Sequence, residues 1–228
     1  MSKTILLYHG APNIVGRPRH GMGSPHRDFG NGFYCTQNLS MAEEWASPDG
    51  TGGYVNEYEL DTRGLRILDL RKTGTPVMSW LGLLAANRTF RTDSESSVRA
   101  IGFLADSYLP DVGGYDAIRG FRGDDSYFSF ATDFINSAVS LGRLASSLDR
   151  SRDGEQFVLI SEKAISRLRY LASSPVDAEA CFRRRCERDL RARSAYLGRG
   201  VRESIDEYDI MMEDLVLGRV KRDDPRIQ

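Results

Sequence analysis

Three short pieces of this chain carry residue types that could do chemistry. They are Tyr8-His9-Gly10, Gly30-Asn31-Gly32-Phe33-Tyr34 and Glu155-Gln156-Phe157-Val158, and each puts a polar or aromatic group at the edge of a predicted strand. The second lies in FGNGFYCT (29–36), where three aromatics and two glycines fall within eight residues. Two readings fit that stretch. Asn31-Gly32 tolerates the positive φ of a type I′ turn, which makes a β-hairpin with Phe33 and Tyr34 starting the returning strand. Alternatively the glycines let backbone and ligand approach closely, and the stretch is the floor of a pocket. Taken alone, His9 reads as a structural histidine and Gln156 as an ordinary strand end. Arg119 and Arg122 flank a loop and suit phosphate, which guanidinium pairs with in a bidentate manner. Arg17, Arg19, His20 and Arg27, in the first loop, are rivals for that role. Asp124 and Asp125 either enter a cleft from their loop or cap the helix that begins at SYFSF.

The frame for these residues is an ordinary globular one. The chain has 228 residues, 40% hydrophobic and 28% charged, enough for a real core in one domain with an appendage. No apolar run of about 18 residues suggests a membrane span. The apolar part of MSKTILLYHG is too short for a secretory signal and reads as a first strand. Cys35, Cys181 and Cys186 form no CxxC pair and lack metal-ligand spacing with the three histidines, so zinc is not expected and a reducing, cytoplasmic setting is. A net charge of −1 gives no global attraction to nucleic acid.

Strands are predicted at 3–8, 54–60, 66–70, 115–118 and 156–161, on alternation and β-branched content. Helices are predicted at 76–86, 95–109, twice within 126–148, at 162–171, 177–197 and 203–217. LSMAEEWA (39–46) reads as a short helix carrying Trp45, with Ser40 and Glu43 as a capping box. Short strands mixed irregularly with helices argue an α+β fold rather than a doubly wound sheet.

In this order the motifs resemble the ADP-ribosyltransferases of the His-Tyr-Glu type, the group containing diphtheria toxin and the poly-ADP-ribose polymerases. The closer resemblance is to a bacterial branch with a His-Tyr-Gln variant of that triad. It rests on LYHG (7–10), DFGNGFYCT (28–36), AEEWA (42–46), YDAIRGFRGDDSYFSF (115–130) and EQFVLIS (155–161), and covers residues 3 to 172. The resemblance implies two small packed sheets around a cleft for NAD, in a domain spanning 1–172, with a charged helical extension over 173–228. His9, Tyr34 and Gln156 then hold the catalytic positions, and Tyr8, Gly10, Phe33, Trp45, Arg122 and Asp125 bind NAD. His9 bonds a ribose hydroxyl, the Gly10 backbone grips the nicotinamide amide, and Tyr34 and Trp45 sandwich the nicotinamide ring. Ala42 stands where the polymerases use a serine, so that contact is absent or runs through water.

The resemblance further implies NAD-dependent mono-ADP-ribosyl transfer to a protein or nucleic-acid acceptor by an intracellular bacterial toxin or defence effector. A small neutralising antitoxin is an implied partner. The main departure is Gln156, where the catalytic glutamate is expected. Glutamine can bond the ribose 2″-hydroxyl but brings no charge to the oxocarbenium-like state, so a carboxylate from elsewhere is a candidate, Asp124 or Asp125 more than Glu155, which a strand turns to the opposite face. An NAD glycohydrolase and a catalytically weak NAD- or ADP-ribose-binding module stay open beside the transferase. In the tail, residues 181–202 carry eight arginines and two acids, while 203–214 carry six acids and no base. Either these neutralise each other, or the basic face meets nucleic acid or an acidic protein.

Overall fold

The computed structural model of the protein describes residues 4–92, 94–123, 125–148, 155–200 and 209–227. Its first half runs β1 (Thr4–Ala11), β2 (Phe33–Cys35), α1 (Leu39–Ala46), β3 (Tyr54–Asp61), β4 (Ile67–Asp69), α2 (Pro76–Asn87) and α3 (Glu95–Tyr108). It continues with β5 (Ala117–Phe121), α4 (Asp125–Ile135), α5 (Leu141–Ser147), β6 (Glu155–Leu159), α6 (Glu162–Ile165), β7 (Leu168–Pro175), α7 (Ala178–Gly200) and α8 (Met212–Val216). The class is α+β, as the irregular alternation predicts.

Two small sheets organise these elements. One has the order β1-β3-β7 and is antiparallel; the other has the order β2-β6-β5-β4, with only β4 and β5 parallel. Among the described residues they meet at one isolated bridge between Tyr8 and Thr36, where each backbone N–H donates to the other residue's carbonyl at 2.8 and 2.9 Å. The larger core lies between the second sheet and α2 to α5, with Trp80, Leu84, Leu104, Phe134 and Ile118 essentially buried.

Several expectations are corrected. There is no hairpin at Asn31-Gly32: the positive φ belongs to Gly30, at 74°, and β2 pairs with the distant β6. Gly32 is a packing glycine, since a Cβ there would lie 2.5 Å from Val158 Cγ1. Asn38, not Ser40, caps α1, its side chain accepting from Met41 N at 3.3 Å, because only the residue before the helix has the extended backbone a cap needs. The helix predicted over 162–171 stops at Ile165. The chain then extends as β7, whose pairing with β3 overrides the local helical period.

The boundary drawn at 172/173 falls inside β7. The C-terminal stretch enters the main core through Tyr196, Ile210, Met212, Leu215 and Ile227. Tyr196 stacks on Phe130 of α4 at 3.9 Å, and its hydroxyl donates to Asp133 at 2.7 Å. Of the helix predicted over 203–217, α8 forms only the part from Met212 to Val216, and 203–208 lie outside the described residues.

Gly10 is required by a close approach. A Cβ there would lie 2.0 Å from Ala42 O and 2.5 Å from Ala46 N, so β1 rests directly on the backbone of α1. Gly10→Ala is therefore expected to destabilise the fold by about 1–3 kcal/mol through overpacking. Gly16→Ala, where a Cβ meets nothing within 4 Å, is expected to change stability by less than about 0.5 kcal/mol. Urea unfolding of the two variants checks the contrast.

Candidate functional site

A cavity of about 440 Å³ opens at the seam between the sheets. β1 contributes His9 and Gly10, β2 contributes Tyr34, α1 contributes Trp45, and β6 contributes Gln156.

His9 is fixed by its neighbours. Its Nδ1 lies 2.7 Å from the Tyr34 carbonyl oxygen, which can only accept, so Nδ1 carries the hydrogen. Burial pushes the His9 pKa below the ordinary 6.5, and the nearby Arg27 pushes it the same way, against the opposing Tyr34 hydrogen bond. The imidazole is thus neutral near neutral pH, and Nε2 is an acceptor. Phe33 backs the ring at a centroid distance of 4.4 Å and meets Tyr58 edge-on at 5.5 Å.

Tyr34 offers its ring rather than its hydroxyl. The hydroxyl donates to Gly30 O at 2.7 Å and accepts from Phe29 N at 3.0 Å, locking the glycine loop. Burial raises its pKa well above the usual phenol range, so it stays protonated. The Arg27 guanidinium sits 5.3 Å from the ring centroid, a cation–π distance. Trp45, half-buried on α1, lines the same cavity.

The Gln156 amide has a determined orientation. Its nitrogen lies 3.1 Å from Asp28 Oδ2 and 3.2 Å from Phe121 O, both acceptors. With both N–H groups used there, Oε1 is left as the accepting atom. Asp28 is itself held at both oxygens: Gly123 N donates to Oδ2 at 2.8 Å, and Arg88 pairs with Oδ1 at 2.8 Å. Glu155 faces the other way, bound by Arg119 and by Arg71 at 2.6 Å. A glutamate at 156 would put a second carboxylate within hydrogen-bonding distance of Asp28, which accounts physically for glutamine here.

Positive charge dominates the walls. Five arginines, Arg27, Arg88, Arg122, Arg185 and Arg188, line the cavity beside two carboxylates, Asp28 and Glu44. With His9 neutral the excess is three positive charges, in a space that also presents two aromatic rings. That combination suits an anionic ligand carrying a flat ring.

Other expected site residues lie elsewhere. Tyr8 does not line the cavity, because alternation along β1 turns it away from the His9 face, toward Glu57 opposite it on β3. Phe33 packs behind His9 and does not line it either. Arg119 is committed to Glu155, and His20 Nε2 to Ile160 O at 3.0 Å. Arg27 and Arg122 do line the cavity. Asp124 lies outside the described residues, and Asp125 opens α4. Reading by sequence missed Asp28, Glu44, Arg88, Arg185 and Arg188. Asp28 stood inside the quoted DFGNGFYCT, whereas nothing local marked Arg88.

The family described as "Protein of unknown function (DUF3990)" matches residues 5–170, and the chain belongs to it. Neither a curated protein nor a solved structure matches the chain. The family match ends within β7, so α7 and its cavity arginines lie beyond it. Among the described residues no group of three or more His, Cys, Asp or Glu could hold a metal ion, and no helix is long and apolar enough to cross a membrane.

Gln156→Glu is expected to destabilise the protein by about 1–3 kcal/mol near neutral pH, from two carboxylates sharing one site. Adding Asp28→Asn should recover part of that loss, so a double-mutant cycle in urea is the check. A second expectation concerns pH. Because the folded His9 pKa lies below 6.5, the unfolded chain takes up that proton first on acidification. This contribution is complete above 6.5 and is lost as pH falls toward the folded value. Unfolding followed from about pH 7 down to about pH 5 should show a decline that His9→Gln reduces.

Proposed function

We propose that the protein is an NAD-dependent mono-ADP-ribosyltransferase. The observation that carries this reading is the convergence of His9, Tyr34, Trp45 and Gln156, from four separate elements, on one cavity with an excess of positive charge. In this reading Tyr34 and Trp45 hold the nicotinamide ring, with the ligand ring displacing Arg27 from the Tyr34 face toward the diphosphate. The neutral His9 accepts a ribose hydroxyl at Nε2, and Gln156 accepts the 2″-hydroxyl at Oε1.

The bond between C1″ and the nicotinamide nitrogen then breaks, and its electron pair leaves with neutral nicotinamide. An acceptor nucleophile on a protein or nucleic acid forms the new bond to C1″ and gives its proton to solvent. Gln156 brings no charge of its own. Asp28, by accepting from the amide nitrogen, polarises the amide and makes Oε1 a stronger acceptor. Such a site supports single transfer rather than chain elongation. A cytoplasmic bacterial toxin or defence effector with a small antitoxin partner is the setting this activity suits.

A second reading rests on the same glutamine: with a neutral amide at position 156, the domain binds NAD or ADP-ribose and acts through partners. Label transfer from adenine-labelled NAD in a bacterial lysate separates the readings. Label retained in the protein or nucleic-acid fraction, and lost with His9→Ala, is the expected result and names the acceptor class. NAD consumed without retained label means water is the acceptor, and intact NAD without label contradicts the enzyme. Trp45→Ala is expected to weaken NAD binding roughly two- to tenfold by loss of stacking, measured by calorimetry.

A further inference from the structure

Helix α7, which lies beyond the family match, has two unlike sides. On one side Cys181 and Tyr196 are buried, and Arg184 and Arg188 pair with Glu43 and Glu44 of α1. The other side holds apolar groups in the open. Phe182 is 43%, Leu190 63% and Leu197 65% exposed, with Cys186 exposed among them. At about 3.6 residues per turn these four fall on one stripe, within a quarter turn of each other.

The order of charges along that stripe says what fits it. Phe182 and Leu190 stand four residues to either side of Cys186, and Glu179 and Arg193 stand seven to either side. The stripe is therefore complementary to itself when reversed. In an antiparallel second copy with the two-fold axis at Cys186, Phe182 meets Leu190 and Glu179 meets Arg193 of the other copy. On the flank, Arg183 comes beside Glu187. Parallel pairing sets each charge against its own kind, and moving the axis two residues toward the C-terminus sets Arg183 against Arg193, so charge selects both direction and register. Glu179 already pairs with Arg183 at 3.4 Å and Arg193 with Asp189 at 2.8 Å along the helix. Pairs this exposed are weak and do not compete with pairing across the axis.

We propose that the protein self-associates through α7, as an antiparallel helix pair whose two-fold axis passes at Cys186. The partner is a second copy of this chain, and the covered surface is the apolar stripe from Phe182 to Leu197. The side of α7 that docks on α1 and lines the cavity faces away from the axis, so pairing is independent of what the cavity binds.

Sedimentation velocity on the full chain, over a concentration series under reducing conditions, tests the pairing. The wild type is expected to shift from monomer to dimer mass as concentration rises. Leu190→Asp is expected to raise the dissociation constant at least about tenfold by placing a charge in the seam. Leu217→Asp, the same change at a leucine 54% exposed on another element, should leave it unchanged. Arg193→Glu should weaken the dimer, and adding Glu179→Arg should restore it, because the reversed pair meets again across the axis. A short bis-maleimide then reads the register. Cys35 and Cys181 are buried, so the expected covalent dimer forms through Cys186 and is lost in Cys186→Ser, whose sedimenting mass stays dimeric. A wild type that stays monomeric overturns the proposal and leaves the stripe to another occupant. A dimer indifferent to Leu190→Asp places the interface elsewhere, and a dimer that fails to crosslink, or is not rescued by the charge swap, overturns the register.

Discussion

The structure depends on the seam where its two sheets touch. Two backbone hydrogen bonds between Tyr8 and Thr36 join the sheets, and His9, the next residue on β1, ties into the same junction by bonding through Nδ1 to the carbonyl of Tyr34, two residues before Thr36. A sheet pair joined over so few residues leaves a cleft instead of closing into a sandwich. The seam also sets chemistry, because the hydrogen bond that fixes His9 decides which of its nitrogens can accept from a ligand. Position and tautomer therefore have one cause, while burial keeps the ring neutral.

Asp28 is the second organising group. It is 6% exposed and holds together the glycine loop, the residue after α2, the loop after β5 and the start of β6, at sequence separations of 60, 95 and 128 residues. A buried carboxylate is costly unless fully bonded, and here one arginine and two N–H groups satisfy it. That arrangement makes a neutral amide the fitting neighbour at 156. Glutamine at 156 thus fits the local hydrogen bonding.

How much was legible follows from how local each signal is. His9, Gly10, Tyr34, Trp45 and Gln156 were singled out by the resemblance their motifs carry together, not by any one motif alone, and the structure brings all five to one cavity; alternation separated Gln156 from Glu155. The α+β class was legible from the irregular order of elements. β7 was not, because Leu168 to Pro175 becomes a strand through pairing with β3, not through local propensity. For the basic run on α7 two readings stood open, neutralisation by the acids at 203–214 or a basic face for a partner, and 203–208 lie outside the described residues. Among the described residues, Arg184 and Arg188 pair with Glu43 and Glu44 on α1, with Arg188 and Glu44 separated by 144 residues. Contacts of that range leave no trace in one sequence.

The claim on which the account turns is that the seam cavity receives the nicotinamide end of NAD against Trp45. The chain has two tryptophans, and Trp80 is fully buried in the helical core, so a ligand in the cavity is reported by Trp45. Titrating the protein with NAD while following tryptophan fluorescence tests the claim most directly. A saturable change that is absent in Trp45→Phe and weakened in His9→Ala is the result the account expects. A flat titration, or a change that persists in Trp45→Phe, contradicts it.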